Sequence, residues 1–177
     1  MRGAQLRWLA VLPPLALAAG LAVWSLGFGL PFLFRPDEDV MVGRAVRMAA
    51  QGSLDPLFAN YPPLVFYLFA GVEKAVALAG GANLHAAFTD PSAAYLAARA
   101  VSAAAAVATV GFTFAAGRRA YGTVAGLIAA GLLAVAPLAV RQAHFATTDG
   151  VQTAFVAAAM AAGLRARGRR GLALAGT

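Results

Sequence analysis

Four long, nearly uncharged apolar runs decide what this chain can fold into: Trp8 to Leu33, Ala93 to Gly117, Thr123 to Val140 and Gly150 to Leu164. A helix rises ~1.5 Å per residue and a bilayer's hydrocarbon core is ~30 Å thick, so the longer runs can span with tilt. Only 12% of the residues are charged, against about 25% in a soluble domain. The chain is therefore read as all-α, a polytopic membrane protein with four transmembrane helices. This hydropathy excludes a soluble enzyme. The net charge of +7 does not point to nucleic acid, because the arginines stand at the ends of apolar runs rather than on one basic face. With no cysteine, a disulfide framework and a Cys-based zinc site are both absent.

Charge then orients the spans. The acids Asp37, Glu38, Asp39, Asp55, Glu73, Asp90 and Asp149 alternate along the chain with the basic clusters Arg2/Arg7, Arg118/Arg119 and Arg165/Arg167/Arg169/Arg170. One further apolar stretch, Leu64 to Ala79, is short and interrupted by Glu73-Lys74. If it spanned, both later arginine clusters would lie outside. If it does not, all three basic clusters lie inside and all seven acids outside, as the positive-inside rule favours. The second arrangement predicts a cytoplasmic N-terminus. Trp8 to Leu33 also has a signal-peptide reading, with Ala18-Ala19-Gly20 as the cleavage region, but it exceeds an h-region of about 7–15 residues. The Ala/Gly/Arg/Leu usage is that of a GC-rich bacterial genome, so the expected location is the bacterial cytoplasmic (inner) membrane, multi-pass.

The outer loop runs over 34–92, with interfacial helices expected at about 38–51 and 62–80. Asp37, Glu38 and Asp39 suit a helix N-terminus. Met41, Ala45 and Met48 share one face and Arg44 and Arg47 another. Gln51-Gly52-Ser53 stops the first helix, Tyr61-Pro62-Pro63 starts the second and Gly80-Gly81 ends it. Gly122 and Gly126 form a GxxxG spacing, read as close helix packing. Arg99 lies within a span near its outer end, where it is either functional or snorkels to the surface. His85 reads as solvated, Glu73-Lys74 as a polar patch, and Trp8 and Trp24 as span residues.

Two acidic sites distant in sequence, Asp37-Glu38-Asp39 after the first span and Asp149 after the third, are expected at the same outer face. Carboxylates meeting there can act as a general base or hold a divalent cation. Acids at a helix start also simply complement its dipole. His144, near Asp149, reads as a metal ligand or proton relay, or as a hydrogen-bonded structural residue.

Leu33-Phe34-Arg35-Pro36-Asp37-Glu38, the amphipathic helix with Arg44, Arg47, Met48 and Gly52, and Tyr61-Pro62-Pro63-Leu64 with Tyr67 resemble the first outer loop of type C (GT-C) membrane glycosyltransferases. Arg99, Gly117-Arg118-Arg119-Ala120-Tyr121-Gly122, Ala136-Pro137 and Ala146-Thr147-Thr148-Asp149 extend the resemblance over nearly the whole chain. It is to the lipid-carrier-dependent group, which includes protein O-mannosyltransferases and lipid A aminoarabinose transferases. The resemblance implies inverting transfer of a sugar from a polyprenyl-phosphate donor to a hydroxyl acceptor (lipid, glycan or protein), with membrane lipids as surroundings. It implies Asp37 as the catalytic general base, Glu38 as the second acid that orients the site or a metal, and Asp149 as the acid of the second outer loop. The metal set it implies is Asp37, Glu38 and Asp149. Aminoarabinose transferases carry a lysine where Tyr61 stands here. Contacts to phosphate or substrate then fall to Arg44, Arg47, Tyr61, Arg141 or His144, or to an arginine beyond this chain. A new apolar run opens at Gly171, so the chain is expected to be the N-terminal portion of a longer transferase and inactive alone. The alternative is a non-catalytic membrane protein, such as a transporter subunit or assembly partner.

Overall fold

A computed structural model describes residues 9–32, 35–80 and 90–175, the side chains of 167–175 excepted. Arg2, Arg7, Trp8, Leu33, Phe34 and His85 lie outside the described residues, as do the side chains of Arg167, Arg169 and Arg170. Among the described residues the structure is all-helical: α1 (Leu12–Trp24), α2 (Pro36–Gln51), α3 (Pro63–Leu78), α4 (Ser92–Tyr121), α5 (Thr123–Val135), α6 (Pro137–Ala143) and α7 (Thr148–Ala175).

Helix α4, with 30 residues, is about 45 Å long and is the post on which α1, α3, α5, α6 and α7 pack. It alone among the described helices is long and apolar enough to cross a membrane, and just 28% of its most apolar stretch is buried within the molecule. A soluble core helix would be mostly buried, whereas most of this apolar surface is left uncovered by the described residues. Helices α5 and α6 pass the same test only as a pair, bent by 62°. Helix α1 is apolar but shorter.

The expected span 150–164 lies in α7, which does not pass that test, and two others take a different course. The run 8–33 is helical over 13 residues of α1, and residues 25–32 continue as turns closed by Leu26, Phe28 and Leu30 amides on the carbonyls three residues earlier. Gly29 takes a left-handed φ of 80° within these turns, and a distant side chain meets them. Arg99 donates to the Leu26 and Phe28 carbonyls at 2.7 and 2.9 Å, carbonyls that a continuing helix would use for its own amides. The run 123–140 breaks at Ala136, which is extended (φ −62°, ψ 121°). Pro137 drives its predecessor out of the α region and has no N–H for the ladder.

Helix α2 begins with Pro36 at its first turn and stops at Gly52, whose φ of 67° is left-handed. Its buried face, with Met41, Val42, Ala45 and Val46, packs on Val65, Phe66 and Phe69 of α3 and on Tyr95 and Ala98 of α4. Ala146, just before α7, and Val151, in its first turn, complete this core. A second cluster, centred on Phe114 and Val110, joins α4 to α1 and α5. There Gly117 and Gly126 let two backbones touch: a Cβ on Gly117 would lie 2.9 Å from the Gly126 Cα. The second glycine of the GxxxG spacing thus serves packing within this chain.

The start of α2, the start of α7 and the Ser92 end of α4 therefore meet. Arg118 and Arg119 sit at α4's opposite end, about 28 Å from Arg99 along the axis.

Candidate active site

Glu38 and Arg99 organise this end of the molecule. They are 1% and 2% exposed. Arg99 Nε donates to Glu38 Oε1 at 2.7 Å and Nη2 to Oε2 at 2.8 Å, the paired fork that suits a guanidinium to a carboxylate. Oε1 also accepts the Ala146 N–H at 2.8 Å. With Arg99's bonds to Leu26 and Phe28, one ion pair ties the turns after α1, helix α2, helix α4 and the approach to α7. The guanidinium lies 5.6 Å from the Phe145 ring centroid and 5.9 Å from that of Tyr95. Both Glu38 oxygens are held in this buried network, so the side chain is turned inward, away from the exposed acids beside it. Sequence reasoning left Arg99 undecided between function and snorkelling; it is neither solvated nor at the surface.

The neighbouring acids face outward. Asp37 is exposed, and its Oδ1 accepts the Tyr61 hydroxyl at 3.4 Å. Asp39 accepts the Tyr95 hydroxyl at 2.9 Å. Asp149 is exposed in the first turn of α7. Its Oδ2 accepts the Gln142 side-chain amide at 2.6 Å, and the Thr148 hydroxyl lies 3.5 Å from Oδ1. Gln142 in turn accepts Arg35 Nη1 at 3.3 Å, and the Arg35 guanidinium rests 4.7 Å from the Phe145 ring centroid. The Asp37 charge holds the Tyr61 phenol above its ordinary pKa, with burial, the Asp37 hydrogen bond and the Asp149 charge adding to the effect. Asp37, Tyr61 and Asp149 are thus within electrostatic reach of one another, at one end of the molecule.

The other sequence candidates are placed elsewhere. Arg44 Nη1 donates to the Pro56 and Leu57 carbonyls at 3.0 and 2.7 Å, and its guanidinium covers the Phe58 ring at 4.8 Å. Arg47 donates to the Asp55 carbonyl at 3.0 Å. Both hold the 53–58 loop rather than face the acids. A ring nitrogen of His144 lies 2.8 Å from the Leu21 carbonyl, which ties α6 to α1. Arg141 is exposed on α6. Among the described residues no three His, Asp or Glu side chains are grouped to hold a metal. With Glu38 turned inward, the set Asp37, Glu38 and Asp149 does not fit one.

Sequence reasoning missed Arg35 as a site residue, and also Tyr95, Gln142 and Phe145. Gln142 carried a usable signal, since an amide just after a Pro-broken apolar helix needs a partner.

A groove of about 640 Å³ opens beside Asp149. Ala18 and Ala22 of α1, Ala106 of α4 and Leu133 of α5 give it apolar walls, and Gln142 and Asp149 line it with Gln152 and Thr153.

The family model described as dolichyl-phosphate-mannose-protein mannosyltransferase matches residues 86–175, just over half of the chain. No curated protein and no solved structure matches. The chain belongs to that family, within the GT-C membrane glycosyltransferases.

Proposed function

We infer that this member of the dolichyl-phosphate-mannose-protein mannosyltransferase family carries the acidic site of an enzyme that moves a sugar from a polyprenyl-phosphate donor to a hydroxyl acceptor. Asp37 is the general base. The observation that carries this reading is the contrast between two adjacent acids: Glu38 is locked in a buried ion pair, while Asp37 stands exposed with one phenol on one oxygen. The Tyr61 hydroxyl orients the carboxylate and leaves Oδ2 for substrate. As the acceptor oxygen attacks the anomeric carbon, its proton passes to Asp37. The bond from that carbon to the phosphate oxygen breaks, and its electron pair stays on the departing lipid phosphate. Attack from the face opposite the leaving group inverts the anomeric centre. Asp149, held by Gln142, orients the substrates from the other side. The apolar groove beside it suits a polyprenyl chain. On this reading the acidic end faces outward from the inner membrane and the Arg118/Arg119 end faces the cytoplasm.

The test is Asp37→Asn in the full-length enzyme. General-base catalysis contributes about 10²–10⁴-fold, so transfer is expected to fall by that factor while membrane insertion and yield stay unchanged. Full transfer by this variant refutes the assignment.

A further inference from the structure

We propose that Arg35 is the cation that receives the donor's lipid-linked phosphate. The inference rests on the donor reading above and adds to it the residue that holds the leaving group. When the anomeric bond breaks, the phosphate passes from a diester to a monoester and gains a negative charge. A fixed cation at that oxygen is worth most in the transition state.

The arginines differ sharply in their freedom to do this. Arg99 is buried against Glu38. Arg44 and Arg47 hold the carbonyls of residues 55–57. Arg118 and Arg119 belong to the far end of α4. Arg35 sits two residues before Asp37, partly exposed, and makes no ion pair among the described residues. The one hydrogen bond its guanidinium makes among the described residues is long, 3.3 Å, and goes to a neutral amide. The Phe145 ring lies 4.7 Å from the guanidinium and supports it without consuming its N–H donors. The group is therefore held in place with most of its fork open, and a fork of parallel N–H donors matches two phosphate oxygens.

Gln142 gives the cation its position relative to the groove. Its side-chain oxygen meets Arg35, its nitrogen meets Asp149, and it lines the groove itself. A lipid whose chain lies along the apolar walls brings its polar head to that end. The amide bridges Asp149 and Arg35, which make no direct ion pair among the described residues.

The experiment measures binding of farnesyl phosphate, farnesol and inorganic phosphate to the purified full-length protein in detergent. Wild type is expected to prefer farnesyl phosphate to farnesol, and inorganic phosphate is expected not to compete at equal concentration. Arg35→Gln is expected to lose roughly ten- to hundredfold in farnesyl phosphate affinity, the worth of a charged hydrogen-bonded contact. Farnesol binding should be unchanged, which also certifies the fold. Arg35→Lys should fall between, keeping the charge without the fork. Retention of the phosphate preference in Arg35→Gln, or its loss in Arg141→Gln instead, overturns the proposal and leaves the donor reading standing. Equal competition by inorganic phosphate overturns the lipid-linked assignment. Absence of any preference in wild type overturns the donor reading, and this proposal with it.

Discussion

Replacing Arg99 by methionine tests the hub on which the site geometry stands. The change keeps most of the side chain's apolar stem and deletes its four hydrogen bonds, two to Glu38 and two to the Leu26 and Phe28 carbonyls. Glu38, 1% exposed, is left as a buried carboxylate with only the Ala146 N–H. Removing one partner of a buried ion pair costs about 3–5 kcal/mol. Each carbonyl stripped of its donor adds about 1–3 kcal/mol where water does not reach it. The total rivals the whole stability of a typical domain, about 5–15 kcal/mol, so poor accumulation or a much lower unfolding temperature is expected. The double variant Glu38→Gln/Arg99→Met leaves no buried charge and keeps an acceptor for Ala146. It should therefore be more stable than Arg99→Met alone, by about 2 kcal/mol or more. Far-UV circular dichroism of the purified proteins during thermal and dodecyl sulfate unfolding reads both quantities. A single variant within about 1 kcal/mol of wild type, or a double variant that is merely additive, refutes the account of a buried, mutually dependent pair.

Two more outcomes follow from the packing. Glu73 on α3 is 0% exposed with neither carboxyl oxygen hydrogen-bonded, and burial pushes its pKa from 4.5 up to about 8. The folded chain keeps this proton where the unfolded chain has lost it, so stability should fall as pH rises from 4.5 to about 8 and level off above. Glu73→Gln should flatten that slope in pH-dependent melting curves; an unchanged slope removes the attribution. At the other end of α4, a Cβ on Gly126 would lie 2.8 Å from the Phe114 carbonyl oxygen and from the Arg118 nitrogen. Gly126→Ala should cost about 1–3 kcal/mol by forcing α4 and α5 apart, whereas Gly131→Ala, with open space around it, should be neutral or better by melting temperature.

How much of this was legible in the sequence depends on where each signal lay. Helices α2 and α3 announced themselves locally, through Pro36 and the acids at one start, Gly52 at the stop and the Pro62-Pro63 pair. The break at Ala136 was also local, because Pro137 carries it, though the run 123–140 reads as continuous by hydropathy. The end of α1 was partly legible, since Gly27, Gly29 and Pro31 follow it and Gly29 takes a φ of 80°; the Arg99 contacts to the 26–28 carbonyls, from more than 70 positions away, were not. The division of labour between Asp37 and Glu38 was partly legible. At 100° per residue Glu38 falls in the middle of the stripe of Met41, Val42, Ala45 and Ala49, and Asp37 at its edge, so one acid must turn in and the other can face out. Using Met41, Ala45 and Met48 alone shifted that stripe and hid the distinction. Gln142 and Arg35 were illegible as a pair, since 107 positions separate them.

Helix α4 is clamped near both of its ends, by a salt link to α2 at Arg99 and by bare backbone against α5 at Gly117. A lone helix answers a bilayer of unsuitable thickness by leaning over. This one cannot lean without carrying α2 and the α5 hairpin along. Lipid thickness should therefore act on the acidic mouth as a lever acts on its load, or else the lipids themselves must stretch or thin around the protein.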